Sequence, residues 1–228
     1  MTTYNYYYNN VPGKGLCRNN LIYTSLISED KKTFVQWYHN DTEYHRGQNQ
    51  VVDPELMKEK WARELMYLMS MQMSYPDLIP KIKDVDIDEK KIFLEIDGVD
   101  FWQRQLDGTP VPDDWQDQMI SILEAHRSLG LYKYSLHPSS YFIVDGKLKS
   151  INYFFTYRYN EGPITVRDHI SHISEERQKA MKPKTDALGI DWDEPQSVET
   201  MQILALESFR DNYPDEFIER AKRVFQGR

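Results

Sequence analysis

Cysteine is almost absent from this chain. Cys17 is the only one, which excludes an intrachain disulfide and any zinc site built on cysteines. It fits a reducing compartment, so a cytoplasmic location is expected. Long apolar runs are missing as well. None approaches the roughly 18 residues that a membrane span needs, and the opening "MTTYNYYYNN" has neither the basic nor the apolar block of a secretory signal. Positive charge is in deficit. Lysine and arginine number 28 against 36 aspartates and glutamates, for a net charge of −8. That balance argues against a general nucleic-acid or anionic-membrane binder. No internal repeat is visible, and the Tyr/Asn-rich start is a small biased segment that reads first as an edge strand or frayed end and second as a partner-binding aromatic patch.

What is present is a globular composition. Hydrophobic residues make up 40% and charged residues 28% of 228 positions, enough for one large core or one core divided between two lobes. "LIYTSLISED" and "KTFVQWYH" are β-rich runs around the turn-like "SEDKK" and predict a hairpin. Asp53-Pro54 starts a helix running to about Met73, with Met57, Trp61, Leu65 and Leu68 as its apolar stripe. "IPKIKDVDID" and "KIFLEIDG" predict two more strands. After Gly98 the texture becomes helical. "DFWQRQL" is a short helix, and "PDDWQDQMISILEAHRSLG" a longer one ended by Gly130. Further helices are expected over about 164–182, 196–211 and 213–226, punctuated by Pro183 and Pro214. Between them, "LYKYSLHPSSYFIVDGKLKSINYFF" reads as a tight loop and a hairpin over 141–154 that turns at Asp145-Gly146. The sum is an α+β chain: a sheet-rich part with one long helix over 1–98, and a mostly helical part over 99–228.

The stretch "HRSLGLYKYSLHPSSYFIVDGKLKSINYFF" resembles the catalytic loop and metal-binding strand of the protein kinase-like fold, particularly its compact bacterial and phage-type small-kinase members. The resemblance spans about residues 20–226 and is specific in this stretch alone. It implies one bilobal domain, with 1–98 as a small antiparallel N-lobe and 99–228 as a helical C-lobe. The family pattern reads His-Arg-Asp-Leu-His-Pro, then Asn, a hairpin and Asp-Phe-Gly. Here Lys133, Tyr134 and Ser135 take the first three places, and Leu136, His137 and Pro138 match the next. Ser140 stands at the place of the metal-binding Asn, and Asn152, Tyr153 and Phe154 at Asp-Phe-Gly. The family also pairs a lysine of the third strand with a glutamate of the long helix. The lysine place falls on Gln36 or Trp37, whereas the glutamate, the one residue the resemblance offers for cofactor binding, is matched by Glu64, which either lies inward on the apolar stripe, where Gln36 offers it one neutral hydrogen bond, or stands at that stripe's wet edge.

These losses bear on chemistry. Phosphoryl transfer is positioning plus electrostatic stabilisation of a highly charged group. Ser135 is no general base without a base of its own, and a general base alone is typically worth about 10² to 10⁴ in rate. Magnesium prefers anionic oxygen ligands, and neither Ser140 nor Asn152 supplies one. Gly13-Lys14-Gly15 lacks the third glycine of a phosphate cradle. The resemblance therefore implies a catalytically inactive kinase-like protein, a pseudokinase serving as a binding or regulatory scaffold for another protein. No catalytic residue, metal site or cofactor is expected, and magnesium–ATP binding should be weak or absent. Two alternatives stand beside it: an atypical nucleotide-dependent phosphotransferase with displaced catalytic residues, for which Asp145, Asp168 and Glu64 are the carboxylates at hand, and a structural or virion-associated α+β protein without a ligand cleft. His169 and His172 with Asp168 read as a solvated helix face rather than a metal site, His126 as a structural histidine, and His137 as a brace for its loop or a base to Ser135. Met66, Met69, Met71 and Met73 read first as core filling and second as an adaptable binding groove.

Overall fold

The computed structural model describes residues 2–11, 15–18, 24–39, 54–158, 161, 165–167 and 175–227. The chain divides into two compact units, Met1–Met119 with Pro138–Phe154, and Ile120–His137 with Phe155–Arg228. The protein is α+β, and the first unit holds a five-stranded antiparallel sheet.

In the first unit, β1 (Tyr4–Tyr6), β4 (Thr24–Ser28), β5 (Thr33–Trp37), β6 (Ile82–Asp86) and β7 (Lys91–Glu95) form that sheet, in the order β1-β4-β5-β7-β6. A separate ladder joins β2 (Tyr8–Val11) to β3 (Gly15–Arg18). The β4–β5 turn is fastened by Ser28, whose hydroxyl accepts the Thr33 and Lys32 N–H groups at 2.9 and 3.2 Å. The long helix α1 (Pro54–Ser74) lies between β5 and β6 in the chain. It buries Met57, Trp61, Glu64, Tyr67, Leu68 and Met71. Leu65, expected on the inward stripe, is only half-buried, and Tyr67 is buried instead. Three of the four clustered methionines contradict core filling: Met66, Met69 and Met73 are exposed and only Met71 is buried. Successive helical residues are about 100° apart, so no single core face can hold all four.

Helix α2 (Phe101–Asp107) starts on Asp100, whose carboxylate accepts the Gln103 N–H, and stops at Gly108 in the left-handed conformation. The expected hairpin pairs β9 (Tyr141–Val144) with β10 (Lys147–Ser150). Its turn holds Asp145 at φ 51° and Gly146 at φ 73°, the two positive values a two-residue turn of this kind requires.

Helix α3 (Trp115–Ser128) follows the predicted segment and ends at Gly130. In the second unit, Leu131–Lys133 is not loop, as expected, but strand β8, paired with β11 (Thr156–Arg158). Each is a triplet too short to announce itself without its partner. Helix α4 (Glu175–Ala187) contains Pro183 instead of stopping before it. A proline inside a helix forfeits a hydrogen bond and costs about 3 kcal/mol. Here the far side is held: buried Thr185 bonds back to the Lys182 carbonyl at 2.8 Å and accepts the Trp192 indole N–H at 2.7 Å. Helix α5 (Val198–Glu207) is capped by Ser197 and packs on β8 and on α6 (Asp215–Gln226). Glu207 meets Arg210 and Lys222 at 2.7 and 2.8 Å, and those cations, Arg210 first, hold its carboxyl down at about 2. Among the described residues, no helix is long and apolar enough to cross a membrane.

Candidate functional site

Three segments of the first unit converge on one carboxylate. β5 alternates its side chains, so Gln36 and Trp37 lie on opposite faces of the sheet. Gln36 is fully buried, while Trp37 is half-buried under the Lys91 ammonium, which sits 4.6 Å above its ring. Of the two residues offered for the lysine place, it is Gln36 that meets the helix glutamate. Its amide donates to Glu64 Oε1 at 2.7 Å. Since a carboxylate only accepts, the amide nitrogen must be the end that faces it. The same oxygen takes the Tyr153 backbone N–H at 2.7 Å. Glu64 is 1% exposed, so both bonds form in a poorly solvated setting where charge-assisted hydrogen bonds are strong.

The segment after the hairpin is thereby fixed along α1. Arg63 reaches the Phe154 carbonyl at 3.4 Å, one residue beyond the Glu64 contact. The Phe154 ring has the Lys60 ammonium 5.6 Å from its centroid and the Tyr38 ring stacked at 6.4 Å. Burial, then the neighbouring Arg63 charge, lowers the pKa of Lys60. Tyr153 is buried, and burial pushes its phenol well above the usual range.

Just before this clamp, Asn152 adopts φ 63°, a left-handed conformation that asparagine tolerates better than most residues. Its amide donates to the Ser140 hydroxyl at 3.3 Å, and the Ile151 N–H bonds the Ser140 carbonyl at 2.9 Å. The two positions matched to metal ligands are thus neighbours, and both are buried and neutral. Among the described residues, no group of three or more His, Cys, Asp or Glu is gathered as a metal site.

Neither a protein-family model nor a curated protein matches this sequence.

Ser135 lies in the second unit and is buried; among the described residues its hydroxyl has no hydrogen-bond partner. His137 is occupied otherwise, edge-on to the Phe209 ring at 5.3 Å. The Tyr213 hydroxyl donates to the Leu136 carbonyl at 2.5 Å, so this loop is braced from the segment leading into α6. His126 and Lys133 are both buried. Burial first, and the Lys133 charge second, lower the His126 pKa to about 3, so the ring is neutral at pH 7.

Asp145 sits exposed at its turn. Asp168, His169, His172, Gly13 and Lys14 lie outside the described residues; Gly15 opens β3. A shallow pocket of about 340 Å³ in the second unit is lined by Arg167, Lys182, Trp192 and their neighbours. Its cations are already matched, Arg167 to Asp193 and Lys182 to Asp186.

The sequence reading missed Arg63, Lys60 and the backbone N–H of Tyr153. The first two carried a signal: they flank Glu64 at one and four residues on the same helix. It also missed a lock elsewhere in the first unit. Tyr7 is buried, donates to the Asp100 carboxylate at 2.8 Å and accepts the Asp100 N–H at 3.1 Å. The Asp100-x-x-Gln103 spacing of a capping box was readable; the Tyr7 partner was not.

Proposed function

We propose that this chain is a kinase-like pseudoenzyme whose fold serves as a binding or regulatory scaffold rather than a phosphotransferase. One observation carries the reading: the carboxylate of the long helix is bonded to a neutral glutamine of the third sheet strand. In the resembling family that carboxylate pairs with a phosphate-holding lysine. In this chain Glu64 instead joins Gln36 to the backbone of Tyr153. The acid is retained and the cation is gone. The arrangement keeps a structural duty, tying strand, helix and post-hairpin segment together, and gives up the phosphate clamp.

Two further features support it. The long helix stands between the third and fourth strands of the five-stranded sheet in chain order, where the resemblance requires it. Ser140 and Asn152 satisfy one another with neutral groups, where magnesium prefers anionic oxygens. The proposed occupant of the scaffold is another protein.

Calorimetric titration with ATP, with and without magnesium, tests the reading. Binding that is weak, or indifferent to magnesium, is expected. Tight magnesium-dependent binding overturns it. In a radiolabelled phosphotransfer assay the wild type should stay at background. Ser135→Asp, Ser140→Asn and Asn152→Asp together should recover little unless Gln36→Lys is added, because positioning groups of this kind act as a unit.

A further inference from the structure

A half-buried lysine ordinarily rests on an oxygen. Lys222 meets Glu207 and Glu219 at 2.8 and 2.9 Å, Lys91 meets Glu89 at 3.7 Å, and Lys149 reaches the Asp77 carbonyl at 2.7 Å. Lys60 of α1 is half-buried too. Among the described residues its nitrogen meets no carboxylate and no other acceptor; what lies against it is the Phe154 ring, 5.6 Å from nitrogen to centroid. The nitrogen keeps a path to solvent, since it is neither bonded nor fully enclosed.

Arg63 stands three residues on, a neighbouring position on a helix surface. Its guanidinium donates to the Phe154 carbonyl at 3.4 Å. One residue thus gathers two cations, Lys60 on its ring and Arg63 on its carbonyl. Ring and guanidinium act on the amine in the same sense. Lost water disfavours the ammonium, and a like charge beside it disfavours it again. The Lys60 pKa is lowered by those two causes in that order, and the group acting the other way is Glu59, exposed on the same helix. Phe154 and the Tyr38 ring stacked on it bring no formal charge. A lysine desolvated by an apolar neighbour and set beside a second cation is the arrangement that frees an amine to act as a nucleophile.

We infer that Lys60 is a site of covalent acylation, its amine accepting an acyl group from an acyl thioester. The amine lone pair attacks the thioester carbonyl and forms the C–N bond. The C–S bond then breaks, and the thiolate leaves and takes up the proton that the nitrogen loses. No oxidant or reductant enters. The positive field of Arg63, which favours the neutral amine, also favours the anionic oxygen of the tetrahedral intermediate. An imine with an aldehyde fits less well, because its dehydration calls for an acid at the nitrogen and the described residues hold none within hydrogen-bond reach of it. The product is a neutral amide where α1 meets the post-hairpin segment, and it ends the repulsion between Lys60 and Arg63. The inference rests on α1 and Phe154 and is independent of the proposed pseudokinase reading.

Competitive labelling of the full chain with the thioacetate of N-acetylcysteamine, read lysine by lysine by peptide mass spectrometry, tests it. The reference is Lys58 of the same helix, exposed and facing Glu55 at 3.6 Å. At neutral pH Lys60 should be acetylated about threefold faster than Lys58 or more, the balance of more free amine against a weaker nucleophile. With rising pH its rate should level off below the range of a free lysine. Arg63→Gln should slow Lys60 and leave Lys58 as it was. Arg63→Lys, which keeps the charge, should hold the wild-type rate, and circular dichroism should report a native fold for both variants. In urea the two lysines of the wild type should label alike. Lys60 labelled no faster than Lys58 overturns the inference. So does an advantage that survives in urea, which assigns it to local sequence rather than to the fold, or one that ignores Arg63→Gln. The wild-type and urea arms need no variant, so a misfolded variant leaves the inference open to refutation. Nucleotide plays no part in any of these readings, so their failure is separable from that of the proposed function.

Discussion

Glu64 is the residue on which the first unit turns, since one of its oxygens serves two donors from two other segments. Glu64→Ala strips the Gln36 amide and the Tyr153 N–H of their shared acceptor. A buried donor deprived of its partner costs about 1–3 kcal/mol, so this single change should be among the most destabilising in the unit. Glu64→Gln retains an acceptor oxygen and should cost less. Urea unfolding of the two variants beside the wild type gives the comparison, and equal losses would discard the shared-acceptor account. His126 makes a second prediction. Its folded pKa of about 3 lies below the ordinary 6.5 because the charged ring is denied solvent and faces the Lys133 charge. Below pH 6.5 the unfolded chain therefore binds a proton that the folded chain refuses. Stability is unaffected by this group above pH 6.5 and declines as pH falls from 6.5 toward 3, by up to about 1.4 kcal/mol per pH unit. His126→Gln should remove that slope, read as the difference between wild-type and variant unfolding free energies across the range.

At the scale of elements, the 141–150 hairpin depends on its turn. Gly146 sits at φ 73° with nothing within 4 Å of where a Cβ would stand. Gly146→Ala therefore introduces backbone strain and no collision, and should cost about 1 kcal/mol. A shift of the urea midpoint with an unchanged slope checks it. Elements whose signals are local were legible in the sequence: this Asp-Gly turn, the Pro54 start of α1, the Gly130 stop of α3. Elements that exist only through a distant partner were not. Leu131–Lys133 becomes a strand because Thr156–Arg158 lies beside it. Helix α4 passes Pro183 because Thr185 is anchored to Trp192, which no propensity reveals. The candidate site divides the same way. Glu64 on an apolar stripe demanded a partner, and the opposite strand held Gln36 as one of two choices. That the backbone of Tyr153 takes the same oxygen, and that Asn152 bends left-handed to bring it there, depends on the path of the chain and leaves no pattern in composition.

At the scale of the whole molecule, the N-terminal edge strand is locked rather than loose. β1 pairs along β4, and the Tyr7 hydroxyl both donates to and accepts from Asp100, 93 positions away. Tyr7→Phe keeps the ring and its edge-on contact with Phe34 while deleting both hydrogen bonds. A hydrogen bond to a charged group is worth about 1.5–3 kcal/mol, and a loss in that range is expected from equilibrium unfolding; no measurable loss would show the bonds to be incidental. This lock also has a consequence in time. Closing a loop of that length must be repaid by contacts that exist only once both ends are in place. Strand β1 is therefore expected to be among the last strands of this sheet to be secured. While residues 24–95 assemble their hairpins and helix, β4 presents an open edge to any extended chain nearby. Asp100, by beginning helix α2 and receiving Tyr7 in one stroke, ends that interval: a helix start at residue 100 helps to hold the strand that covers the edge of β4.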